Sequence, residues 1–190
     1  MPAGWPHSPR AAAADRGRPV QALLDRLNGP LHLAVALAGA WLVFSSPWIG
    51  MYDRMPAEAD WINQAHVVVG LAALLAGGLY ALACTQGGRW REVFPWLAGG
   101  LGLVGRDIAG IFRGRMPTVE GGGLFPMIEG LLLLALLAAG ATGAVWFFTQ
   151  GTETAAAWRG HHILAARGFA VLMLLHFIGV ALHLLDFVRE

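Results

Sequence analysis

The chain has 190 residues, 56% apolar and 13% charged, against roughly 45–50% and about 25% in an ordinary soluble domain. That imbalance excludes an ordinary soluble globular protein, and a net charge of +1, with arginine as the only basic residue besides histidine, supplies no polybasic face for nucleic acid. A single cysteine, Cys84, excludes an internal disulfide, a CxxC zinc site and covalent CxxCH haem attachment.

Residues 1–30 carry four arginines and two aspartates with no apolar run, which reads as a retained tail rather than a cleaved signal. Within it, Val20 to Leu27 is expected to form a short amphipathic turn or two at the membrane surface, with disorder the alternative for residues 1–19, and Asn28-Gly29-Pro30 is expected to stop that helix and restart another. The second unit, 31–190, holds four long apolar runs: Leu31 to Ile49, Trp61 to Cys84, Leu124 to Phe148, and His162 to Val188. Each is about as long as a helical bilayer crossing requires. A fifth run, Val93 to Gly105, contains Pro95 and is too short to cross, so it is expected to be an interfacial or re-entrant piece. Because lipid offers no partner to a bare backbone, each span must be helical. The expected fold is an all-α membrane protein, a four-transmembrane-helix bundle with a short interfacial helix between spans two and three. Trp41, Trp48, Trp61, Trp146 and Trp158 lie near span ends, where an interfacial belt places them.

Arginine counting sets the expected direction. The tail holds Arg10, Arg16, Arg18 and Arg26, and the connection between spans two and three holds Arg89, Arg91, Arg106, Arg113 and Arg115. The other two connections hold only Arg54 and Arg159. Both termini are therefore expected in the cytoplasm.

Six of the seven histidines lie in or at the ends of the spans, where an ionisable side chain marks a functional site by default; His7 is the exception. In that topology, His66 with His161 or His162 forms an outer layer, and His32 with His176 or His183 an inner one. Two imidazoles facing one another with no cysteine or carboxylate companion suit the axial positions of a b-type haem, whereas zinc asks for a third or fourth ligand. His162 and His176 are 14 residues apart, about 21 Å of helix rise at similar azimuth, so one helix could serve two stacked haems.

A porphyrin also needs small neighbours three and four residues along the same face. His32 has Ala36, His66 has Gly70, His162 has Ala165 and Ala166, and His176 has Gly179. His161 and His183 have bulkier company, which favours His162 and His176 as ligands. Arg167, inside the span, invites either a haem propionate or a snorkelling path to the surface.

At this point the chain resembles the four-helix di-haem cytochrome b membrane subunits of formate dehydrogenase, related hydrogenases and thiosulfate reductases. The resemblance covers about residues 20 to 190. It rests on ArgLeuAsnGlyProLeuHis (26 to 32), HisValValValGly (66 to 70), and HisHisIleLeuAla (161 to 165) followed by His176. It implies two non-covalent b-type haems, His66 with His162 and His32 with His176 as iron ligands, and residence in a bacterial cytoplasmic membrane. It also implies iron–sulfur and catalytic partner subunits and an exchangeable quinone, with the chain relaying electrons between the two.

Glu129, His183, Asp186 and Arg106 with Asp107 are the ionisable groups placed to exchange protons with a quinone. Each also has a structural reading: Arg106 and Asp107 as a surface pair, Asp186 as a partner of Arg189, and Glu129 as shallow enough to reach water. The family's amide-rich stretch before span three is replaced here by GluGlyGlyGlyLeuPheProMet (120 to 127). Two other functions fit the same spans. One is a stand-alone cytochrome b561-type di-haem oxidoreductase passing electrons from a small substrate such as superoxide to quinone. The other is a haem-free structural bundle with histidines as polar glue.

Overall fold

The structure is a computed structural model that describes residues 9–50, 52, 54–86, 90–117 and 122–189; the side chains of 9–21, 24, 25, 186, 187 and 189 lie outside that description. Among the described residues all regular structure is helical. In chain order the helices are α1 (Pro9–Ser45), α2 (Trp61–Thr85), α3 (Trp90–Val93), α4 (Leu101–Ile111), α5 (Leu124–Phe148) and α6 (Glu153–Arg189), with single 3-10 turns at Ser46–Trp48 and Pro95–Leu97. Four stretches are long and apolar enough to cross a membrane: Arg26–Trp48, Trp61–Thr85, Leu124–Phe148 and Glu153–Leu185. Their outer faces are studded with exposed Leu, Val and Phe, the surface a lipid-facing bundle presents.

Neighbouring long helices run antiparallel. Ser45 meets His66 across α1 and α2, Gly77 packs on Leu136 across α2 and α5, and Phe125 meets His183 across α5 and α6. α1 and α6 close the ring only loosely; they approach at Gly39, where an added Cβ would lie 2.8 Å from both Met173 Cε and Phe169 Cζ. The core at this level is Ala73, Leu136, Phe169 and Met173. The start of α1 and the end of α6 lie at one end of the bundle, named here the terminal end, and the end of α1 with the starts of α2 and α6 at the other, the loop end.

Two expectations are corrected. Asn28-Gly29-Pro30 does not break the first helix, since α1 runs through it unbroken. A proline inside a helix costs about 3 kcal/mol, and the apolar span that continues past it outweighs that local signal. Helix α6 begins at Glu153, nine residues before the expected start of span four. His162 is therefore about 13 Å inside the helix rather than at its tip.

The connection between α2 and α5 folds as α3, a 3-10 turn and α4, with the reversal at Gly99, whose φ of +78° suits glycine. It docks on α5 at Gly130, where an added Cβ would collide with the Val93 carbonyl and press on Trp96. Asp107 on α4 accepts a 2.8 Å hydrogen bond from the Leu124 N–H at the start of α5. That oxygen satisfies a backbone donor that a helix start leaves bare, a use of Asp107 that its sequence position did not suggest.

Candidate functional site

At the loop end the four long helices enclose a cavity of about 310 Å³, lined mainly by aliphatic and small residues and containing His66 of α2 and His162 of α6. Its polar geometry begins with two ring nitrogens. His162 Nδ1 lies 2.9 Å from the Ala139 carbonyl. A carbonyl only accepts, so Nδ1 carries the proton and Nε2 of the neutral ring keeps its lone pair.

His66 Nδ1 lies 3.1 Å from Ser45 Oγ, and the Ser45 hydroxyl is itself within 3.3 Å of the Leu42 carbonyl. When the Ser45 proton goes to Leu42, Ser45 accepts from His66 Nδ1–H, and Nε2 of this ring is then the lone-pair nitrogen. Ser45 is 1% exposed. Two imidazoles from different helices thus share one cavity, each with Nδ1 hydrogen-bonded to a protein oxygen. Outer-shell hydrogen bonds of this kind fix ring orientation and raise ligand basicity at metal centres.

Small residues make the space. Gly70 and Ala166 line the cavity, and Gly143 of α5 lies so close to His162 that an added Cβ would sit 2.9 Å from its Nδ1. Arg167 also lines the cavity. His161 is exposed and packs against Trp158, ring centroids 5.6 Å apart, outside the cavity.

The loop-end connections hold this arrangement from above. Asn63, 2% exposed, accepts from Gly50 N–H at 2.9 Å and donates through Nδ2 to Asp60 at 2.7 Å. Asp60 caps α2 through the Asn63 N–H at 2.9 Å. Met55 N–H donates to Gln150 Oε1 at 2.7 Å, and the Arg54 guanidinium lies over Gly151, which has φ +79°. No protein-family model, curated protein or solved structure matches the chain. The site's chemistry therefore rests on its own geometry.

At the terminal end His32 and His176 also share a cavity, with Tyr80 and Glu129 in its wall, but its volume is about 70 Å³. The His32 ring stacks on Tyr80 at 5.4 Å and 26°, while His176 Nδ1 is buried with no hydrogen-bond partner. The small neighbour expected to make room, Gly179, faces the Phe125 ring, which fills the notch. Leu136 and Phe169 line both cavities and form the partition between them.

Small-molecule sites generally occupy about 300–1,000 Å³. The loop-end cavity reaches that range and offers two open imidazole nitrogens, an apolar wall and an arginine, so its residues fit a b-type haem. The terminal-end cavity falls well below the range, and its residues as arranged do not.

The remaining expected residues are not gathered into one pocket. Glu129 is exposed and also borders the terminal-end cavity. His183 lies against Phe125, centroids 4.6 Å apart, and lines neither cavity. Arg106 is exposed on α4, and the Asp186 side chain lies outside the described residues. Among the described residues no three His, Cys, Asp or Glu side chains cluster as a metal-ion site. Sequence reasoning missed Ser45, the Ala139 carbonyl and Gly143. The one signal for the last two was the small-residue run 138–144 in span three, a sign of close helix approach.

Proposed function

We propose that the protein is a membrane-embedded b-type haem electron carrier, with His66 and His162 as the axial pair of a haem in the loop-end cavity. The observation that carries this reading is that both imidazoles line one apolar cavity while their Nδ1 atoms are occupied by Ser45 and Ala139. A haem bound there supplies reversible one-electron iron chemistry. The chain's own residues do the rest. Nε2 of each histidine offers its lone pair, Ser45 and the Ala139 carbonyl hold the rings in the required tautomer, and the aliphatic wall excludes water. Arg167 offers a fixed cation to a propionate.

The wider setting belongs to the same proposal. The chain serves as the anchoring haem subunit of a respiratory complex in a bacterial cytoplasmic membrane, both termini cytoplasmic and α4 lying in the interface, and becomes di-haem only if the terminal-end pair also takes up a haem. It exchanges electrons with an iron–sulfur partner and the quinone pool. Helix α4, at 11 residues, spans about 16 Å and is too short to cross. A second haem between His32 and His176 requires Phe125 to leave the Gly179 notch.

The test is spectroscopic. Purified protein should show a reduced b-type spectrum, and haem counting should give two per chain for the full proposal or one for the loop-end site alone. Colourless protein that takes up no added haem would favour the structural-bundle reading and overturn this one.

A further inference from the structure

Every long helix contributes to the wall of the loop-end cavity, yet only two of its lining residues are exposed: Ser46, just past α1, and Arg167 on α6. A residue that lines a cavity and also meets the exterior marks its mouth. These two flank the seam between α1 and α6, the one place where neighbouring long helices scarcely touch. The loose contact between α1 and α6 gives the cavity a sideways opening along the apolar faces of these helices.

The two residues of this lip differ in what they can bind. Ser46 Oγ donates to the Val43 carbonyl at 2.8 Å, so its proton is already used and the hydroxyl has none to give an incoming anion. Arg167 presents a planar fork of donors matched to a carboxylate. Side chains on a helix lean toward its N-terminus. Arg167, five residues past His162, therefore reaches back toward the level of the His162 ring.

Building on the haem reading above, we propose that the cofactor enters sideways between α1 and α6 and settles with its carboxylate edge at this lip, where Arg167 binds a propionate. Arg167 is a binding residue for the acidic edge of the macrocycle, and the seam is its route. A lipid headgroup at Arg167 is the competing occupant; it gives Arg167 no part in porphyrin discrimination.

The test uses the full chain in detergent, stripped of haem and titrated separately with hemin and with hemin dimethyl ester, which lacks the free carboxylates; the Soret band reports binding. Wild type should prefer hemin by about tenfold, the scale of a charge-assisted hydrogen-bonded pair. Arg167→Gln should abolish that preference and Arg167→Lys retain part of it. Ser46→Trp, which narrows the seam, should slow uptake of both porphyrins several-fold and leave the preference intact.

Equal affinity of wild type for the two porphyrins overturns the assignment of Arg167 while leaving the histidine pair standing. An unchanged uptake rate in Ser46→Trp overturns the sideways route. Binding of neither porphyrin to wild type, or binding that survives His162→Ala, overturns the haem reading and this inference with it.

Discussion

The two histidine layers are made of the same side chains and differ in how far the chain has prepared them. At the loop end each ring has an acceptor for Nδ1, small residues beside it and a cavity of about 310 Å³. At the terminal end His176 Nδ1 is buried without a partner and a phenyl ring occupies the glycine notch, leaving about 70 Å³. A pair of inward histidines at matched depth is therefore not yet a site. Orientation and space come from neighbours on other helices, and the loop end has them because two short connections, laced by Asn63 and Gln150, fix how its helices meet.

Removing the rings themselves should break the comparison most completely. His162→Ala or His66→Ala should abolish haem at the loop end, read as loss of its component from the reduced spectrum, whereas His32→Ala should leave that component in place. If His32→Ala and His162→Ala cost the same component, the two layers are one site and the division fails. Phe125→Ala sharpens the contrast from the other side, because emptying the Gly179 notch should raise haem occupancy at the terminal end and nowhere else. An unchanged stoichiometry would show that Phe125 does not limit that space.

The next effect acts through position. In Gly143→Ala the new methyl would stand 2.9 Å from His162 Nδ1, closer than a side chain tolerates, so the ring must turn away from the Ala139 carbonyl. Haem affinity should fall at least about tenfold, in line with other losses of outer-shell support. Gly78→Ala meets nothing within 4 Å and should leave affinity unchanged. Ser45→Ala keeps the space but removes the acceptor for His66. It should weaken binding by about 10- to 100-fold and lower the ligand's basicity, visible as a shifted haem potential. A Ser45→Ala protein with unaltered affinity and potential would mean that the 3.1 Å contact does not orient the ring.

The sequence exposes this contrast only in part. The spans are legible because about 20 apolar residues in a row leave one economical solution in lipid, and the layering follows from where each histidine falls along its span. Which atoms hold each ring depends on helix rotation, and rotation is decided by packing that no single segment encodes. Ser45 reads as an ordinary residue at a span's end until α2 brings His66 against it. Gly179 looks like room for a cofactor until α5 supplies Phe125. The stop signal at Asn28-Gly29-Pro30 misleads for the same reason, since local punctuation there opposes a longer helix whose packing prevails. Asp107 likewise looks like surface charge until α4 sets it at the start of α5.

The smallest expected effect concerns the polar lattice above the loop-end site and separates the lattice from the site. Asp60 is exposed, and its pKa is lowered from 3.8, first by the Asn63 backbone N–H and then by the Asn63 side-chain amide. A carboxyl depressed in the folded state stabilises the fold above its unfolded value, and that contribution is lost as pH falls through the lowered folded value. The thermal midpoint of the wild type should therefore decline on acidification below 3.8. Asp60→Asn, which retains a capping oxygen but has no proton to take up, should flatten that part of the profile and change little at neutral pH. An identical acid slope in the two proteins would mean that the cap is not linked to proton uptake. Haem content of Asp60→Asn at neutral pH should match the wild type, because His66, nearly two turns further along α2, is held by Ser45 rather than by the cap. A loss of haem there would instead join lattice and site into a single cooperative unit.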